Sequence, residues 1–122
     1  MFQSTSLRPP YSQIVILDPK ARVEVPDWKK GASFVATDTC ILFACLAEID
    51  GETQFTLGSV SEVNPGFPPI FEGELKTPNH QIALETVEGD SVLGAQTNRP
   101  VTIVRIWSNR AKEPDKVIVG ID

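Results

Sequence analysis

Imidazole chemistry is nearly missing from this chain, whose 122 residues include one histidine, His80, next to a Thr77-Pro78-Asn79 turn signal. A hydrolase of the Ser–His–acid type needs a base held against a nucleophile, and His80 reads instead as an exposed turn residue. Cysteine is almost as scarce. Cys40 and Cys45 fall on one predicted strand at an odd spacing that sends them to opposite faces. One unbent strand could not bridge them, so both are expected as buried free thiols in a reducing compartment. With only His80 to join them, a zinc site lacks ligands. No apolar run approaches the roughly 18 residues of a membrane span. The opening MFQSTSLRPP has neither the basic n-region nor the apolar h-region of a secretory signal. The expected address is cytoplasmic, with no membrane contact. Glycines such as Gly31, Gly51, Gly58, Gly66 and Gly73 stand alone, so no phosphate-cradling loop is present. Helical periodicity, internal repeats and low-complexity tracts are missing as well.

Cations are missing from one part of the chain. Residues 31–98 hold ten acidic side chains against the single cation Lys76, whereas residues 1–30 and 99–122 each carry five cations and three acids. One reading is a solvated, aggregation-resistant surface. The other is a field that attracts a basic protein and speeds encounter. Both oppose direct nucleic-acid binding, because this middle segment would repel a phosphate backbone.

What is present is a series of short β-prone runs separated by proline and glycine turns. Thr39–Gly58 reads as a hairpin, with Asp50-Gly51 as a type I′ turn that pairs Ile49 with Glu52, Leu46 with Phe55 and Ala44 with Leu57. Its first strand is apolar on both faces and its second on one, which predicts an inner strand beside a wetter one. Ser12–Asp18 and Val101–Ser108 are further buried strands, Arg22–Val25 a short edge strand, Ile70–Lys76, His80–Val87 and Lys116–Ile121 further strands, and Ser91–Pro100 a weak strand plus a loop. Residues 59–69 are the longest irregular stretch, and Asn64-Pro65-Gly66 fits a type II turn. The fold class that follows is all-β: one domain over residues 1–122, an antiparallel β-sandwich or flattened barrel, with residues 1–10 an irregular N-terminal segment. Parallel pairing is not expected, since there is no room for helical crossovers.

Nothing in the chain identifies a reaction. Glu72 and Glu74 share a strand face, but an acidic solvent face accounts for them. Glu48, Asp50 and Glu52 do not match the spacing of an EF-hand loop. No catalytic residue, cofactor or metal is expected, and the function class is binding. The candidate partner-binding residues are the acidic tip Glu48, Asp50 and Glu52, together with Trp28 and Phe67 at strand ends, where aromatic side chains often anchor interfaces. Tyr11 is placed similarly. Trp28 reads either as such an anchor or as a plug for one end of the core. Phe67 reads either as tucked under its loop or as a small exposed contact. A rival function class is a self-associating structural module that pairs copies through open sheet edges.

Several short motifs carry a family resemblance. Tyr11-Ser12-Gln13 before an apolar strand, then Asp27-Trp28, Lys30-Gly31 and Ile41-Leu42-Phe43, resemble competence protein J, the nuclease-inhibitor (ComJ/Nin) family. FEGELKTPNHQIALETVEGDSVL (71–93) and VTIVRIW (101–107) are similar to that family's closing strands in order and spacing, so the resemblance covers residues 11–107. It implies a small acidic protein that binds and silences a DNA-degrading enzyme, with carboxylates standing where the enzyme would hold phosphates.

Overall fold

The structure, a computed structural model, describes residues 2–122. Two five-stranded sheets face one another. The first has the strand order β1-β5-β10-β9-β6 and the second β3-β4-β2-β7-β8. The strands are β1 (Gln3–Leu7), β2 (Gln13–Leu17), β3 (Phe34–Ala36), β4 (Cys40–Ala44), β5 (Thr53–Ser59), β6 (Phe71–Lys76), β7 (Gln81–Glu85), β8 (Ser91–Gln96), β9 (Val101–Ser108) and β10 (Lys116–Ile121). The all-β, two-sheet reading holds.

Alternation builds the core. From one sheet, Phe55 and Leu57 of β5, Val104 and Ile106 of β9, and Val117 and Val119 of β10 point inward. They meet Ile14 and Ile16 of β2, Ile41 and Phe43 of β4, and Ile82 and Leu84 of β7. Each such side chain contributes about 1.5–3 kcal/mol by leaving water. β2 and β4 are apolar on their outer faces too, because residues 18–33 fold back over them. Val15, Val35, Cys40 and Leu42 form a second, smaller cluster beneath Val23 and Ala32. In the other sheet, the outward Trp107 is 1 % exposed. The short helix α1 (Val60–Val63) and its following loop cover it, its indole N–H donates to the carbonyl of Phe67 at 2.7 Å, and Gly120 leaves room for the ring.

Four expectations are corrected. The Thr39–Gly58 hairpin does not form: β4 pairs with β2 and β3, and β5 pairs with β1 and β10. Residues 45–52 instead cross from one sheet to the other. Asp50 is absent from the left-handed residues and Gly51 sits at φ 143°, whereas a type I′ turn needs both positions left-handed. Within the segment expected to be irregular, Gln3–Leu7 form a strand that pairs with Thr53–Leu57. β10 runs parallel to β5; strands so far apart in sequence need no local crossover, because the rest of the sandwich is their connection. Finally, residues 22–25 are not a strand. Glu24 is held by side chains instead, its N–H donating to Thr39 Oγ1 at 2.8 Å and its carbonyl accepting from Thr37 Oγ1 at 2.6 Å.

Candidate functional site

Because β4 and β5 lie in different sheets, the acidic tip becomes part of one end of the sandwich. Residues 8–12, 26–33, 45–52 and 109–115 gather there. Backbone hydrogen bonds tie them together: Cys45 N–H to Ser12 carbonyl at 2.8 Å, Leu46 N–H to Pro114 carbonyl at 2.9 Å, and Gln54 N–H to Asp115 carbonyl at 2.8 Å. Ser33 Oγ donates to the Ala111 carbonyl at 2.9 Å.

Within this end, Glu48–Asp50 form a single 3-10 turn, and Glu48, Asp50 and Glu52 are exposed. The cations whose hydrogen bonds are nearest bond to main-chain carbonyls rather than to these carboxylates. Arg8 donates to the main-chain carbonyl of Glu48 at 3.0 Å, Lys112 to that of Gly31 at 2.8 Å, and Arg110 to that of Glu113 at 2.9 Å. Ion pairs among the described residues join Lys76 to Asp38, and Arg105 to Glu72 and Asp122. None of them involves the tip. The tip carboxylates are thus exposed and outside the ion pairs, at an end they share with the cations Arg8, Lys29, Lys30, Arg110 and Lys112.

Trp28 and Tyr11 lie at this same end and line one depression of about 290 Å³ with Ser12, Gln13, Cys45 and Glu113. Trp28 is 38 % exposed, so it does not plug the core; its indole N–H donates to Gln13 Oε1 at 3.0 Å. Phe67 is not brought here. It sits in the loop over the outer face of the β1-β5-β10-β9-β6 sheet, its carbonyl accepting from Trp107 while its side chain stays half exposed. The five candidates therefore divide into Glu48, Asp50, Glu52 and Trp28 at one end, and Phe67 apart from them.

Two residues at this end escape sequence reasoning. Ile49 is 86 % exposed between two carboxylates; the expected hairpin paired it away from view. Glu113 belongs to a charge-balanced flank in the sequence, and only tertiary packing carries it beside Trp28. An apolar residue inside an acidic turn was the available signal for Ile49. Glu113 had none.

The remaining chemistry is quiet. His80 sits at the opposite end, in a turn with φ 57°, its N–H bonded to the Thr77 carbonyl. Burial raises the Cys40 thiol to about 11 and the Cys45 thiol to about 12. Both are free and buried, so neither offers a thiolate near neutrality. Among the described residues no group of three or more His, Cys, Asp or Glu side chains is placed to hold a metal ion, and no helix is long and apolar enough to cross a membrane.

No family model matches the sequence, and no curated protein does. Among solved structures, the chain is similar to the crystal structure of ComJ, inhibitor of the DNA degrading activity of NucA, from Bacillus subtilis. The TM-score is 0.70 with 17 % sequence identity, over 99 % of this chain and 97 % of that one. The structural likeness thus falls on a member of the family that the motifs at residues 11–107 resemble, and it extends over nearly the whole chain.

Proposed function

We propose that this chain is a small acidic inhibitor that binds a basic DNA-degrading enzyme and performs no catalysis itself. The observation that carries this reading is the end-to-end likeness to ComJ, a nuclease inhibitor, in a chain of net charge −5. The proposed contact is the loop end bearing Glu48, Asp50 and Glu52. A nuclease binds DNA through cations that neutralise phosphates, and unpaired carboxylates on a rigid platform present the same charge to those cations. Occupying that surface excludes DNA without any chemistry on the inhibitor's side.

The test is to titrate the chain into NucA while following DNA degradation, and to measure association rates at two ionic strengths. Inhibition with an association rate that drops as salt rises is expected, because the Debye length shrinks from about 30 Å at 0.01 M to about 10 Å at 0.1 M. Glu48→Gln with Glu52→Gln should slow association, whereas Glu74→Gln, exposed on the edge strand β6, should not. Unchanged rates and salt dependence in the double variant would remove the tip from the interface. A tight homodimer by light scattering, with NucA left fully active, would favour the self-associating module instead.

A further inference from the structure

Among the described residues four non-glycine residues have positive φ, and three of them line the depression beside the acidic tip: Tyr11 and Ser12, both at 58°, and Glu113 at 48°. The fourth, His80, serves a reverse turn at the other end. Left-handed backbone is costly for any residue with a Cβ, and strain concentrated at one surface feature points to a use for that feature. Here it leaves Tyr11 72 % exposed, on the same depression as Trp28.

We propose that this depression seats one arginine side chain of the basic partner, with the guanidinium against the rings of Trp28 and Tyr11 and paired to the Glu113 carboxylate. The proposal rests on the inhibitor reading above and specifies how it is anchored. Aromatic faces attract cations, tryptophan most strongly. A planar, weakly hydrated guanidinium can stack on a ring and bond a carboxylate in one pose. The site is arranged for that. Gln13 Oε1 already accepts the Trp28 indole N–H at 3.0 Å, which leaves the ring faces as what Trp28 offers a ligand. Arg110 donates to the Glu113 carbonyl at 2.9 Å, and no ion pair among the described residues occupies the Glu113 carboxylate. The other lining residues, Ala32, Ala44, Ala47 and Cys45, are small and uncharged. The Ser12–Cys45 and Leu46–Pro114 backbone bonds hold the walls before any partner arrives, which lowers the ordering cost of binding. Arg8, Lys29, Lys30, Arg110 and Lys112 share this end with Asp27, Glu48, Asp50, Glu52, Glu113 and Asp115, so the preference for a cation is carried by the two rings and the Glu113 carboxylate at short range rather than by the field of the whole end.

The test needs no partner enzyme. The full-length ¹⁵N-labelled chain is titrated with N-acetyl-arginine amide, with N-acetyl-lysine amide and with the uncharged citrulline analogue. The readout is the Trp28 indole N–H, assigned by its loss in Trp28→Phe. A saturable shift with the arginine amide, a weaker one with lysine and none with citrulline is expected. Glu113→Gln should weaken arginine binding about two- to fivefold. Tyr11→Asn should weaken it similarly, and asparagine tolerates left-handed backbone, so that loss reports the ring rather than the fold. Glu74→Gln should change nothing. No saturable shift, an equal response to citrulline, or full binding by Glu113→Gln would overturn the proposal. A chain that binds the arginine amide and leaves NucA active keeps its arginine seat but is no inhibitor of that enzyme. One that inhibits NucA with no Trp28 response is an inhibitor anchored elsewhere.

Discussion

The two ends of the sandwich treat their polar groups in opposite ways. At the end that holds residues 18–20, 37–39 and 77–80, polarity is consumed internally. Asp18 is 1 % exposed, yet its carboxylate accepts the Asn79 N–H at 2.7 Å and the Lys20 N–H at 3.0 Å. Thr77 and Thr102 share a buried hydroxyl contact at 2.8 Å, and Asp38 is paired with Lys76 at 3.0 Å. At the other end the carboxylates of Glu48, Asp50 and Glu52 have no such pairing, Ile49 and Tyr11 face solvent, and the backbone is left-handed at three side-chain-bearing residues. A buried carboxylate must be hydrogen-bonded to be tolerated, so the first end is committed to stability. Exposed charge outside ion pairs contributes little to stability, so the carboxylates of the second end are not needed to hold the fold.

The contrast can be broken by mutation, and stability to denaturant is the first measurement. Phe43→Ala sets the scale: its ring is 1 % exposed between the sheets, and its loss should cost about 3–5 kcal/mol. A cost below about 1 kcal/mol would mean the core is not organised around β4. Asp18→Ala comes next, at about 1–3 kcal/mol, because the Asn79 and Lys20 N–H groups lose their acceptor. Glu48→Gln at the opposite end should stay within about 0.5 kcal/mol. Equal effects at Asp18 and Glu48 would erase the distinction between the ends. The smallest change, Ser12→Gly, has the opposite sign. Releasing the left-handed strain outweighs the added freedom of the unfolded chain, for a gain of up to about 1 kcal/mol. If Ser12→Gly destabilises the chain, its φ of 58° is not strained in the way argued.

Much of the strand content was legible locally. The outer and inner partition of Val101–Ser108, with Thr102, Val104 and Ile106 on one face and Arg105 on the other, follows from alternation alone and holds in the structure. The bend at Asn64-Pro65-Gly66 was legible from its residue types, since Gly66 takes φ 96° there and its N–H donates to Asn64 Oδ1 at 2.8 Å. The acidity of the tip also survives, although the hairpin that was meant to carry it does not. The misreading at Asp50-Gly51 has a definite physical source. An Asp-Gly pair permits a type I′ turn but does not require one, and whether it forms depends on what else pairs with the flanking strands. β2 and β3 occupy both edges of β4, and β1 and β10 both edges of β5. β3 is a local partner, ending just before β4 begins, but β2, β1 and β10 lie far along the chain from the strands they pair with, outside any local window.

Periodicity, turn chemistry and charge run along the chain, so residue order decided that this is a two-faced β protein with an acidic middle. Which strands hydrogen-bond, that β5 and β10 run parallel, and that Glu113 arrives beside Trp28 were decided by packing in three dimensions. The physical reason is that ladders and clefts are built between residues distant in sequence. Burial of both sheet faces selects among pairings that local propensity leaves equally open.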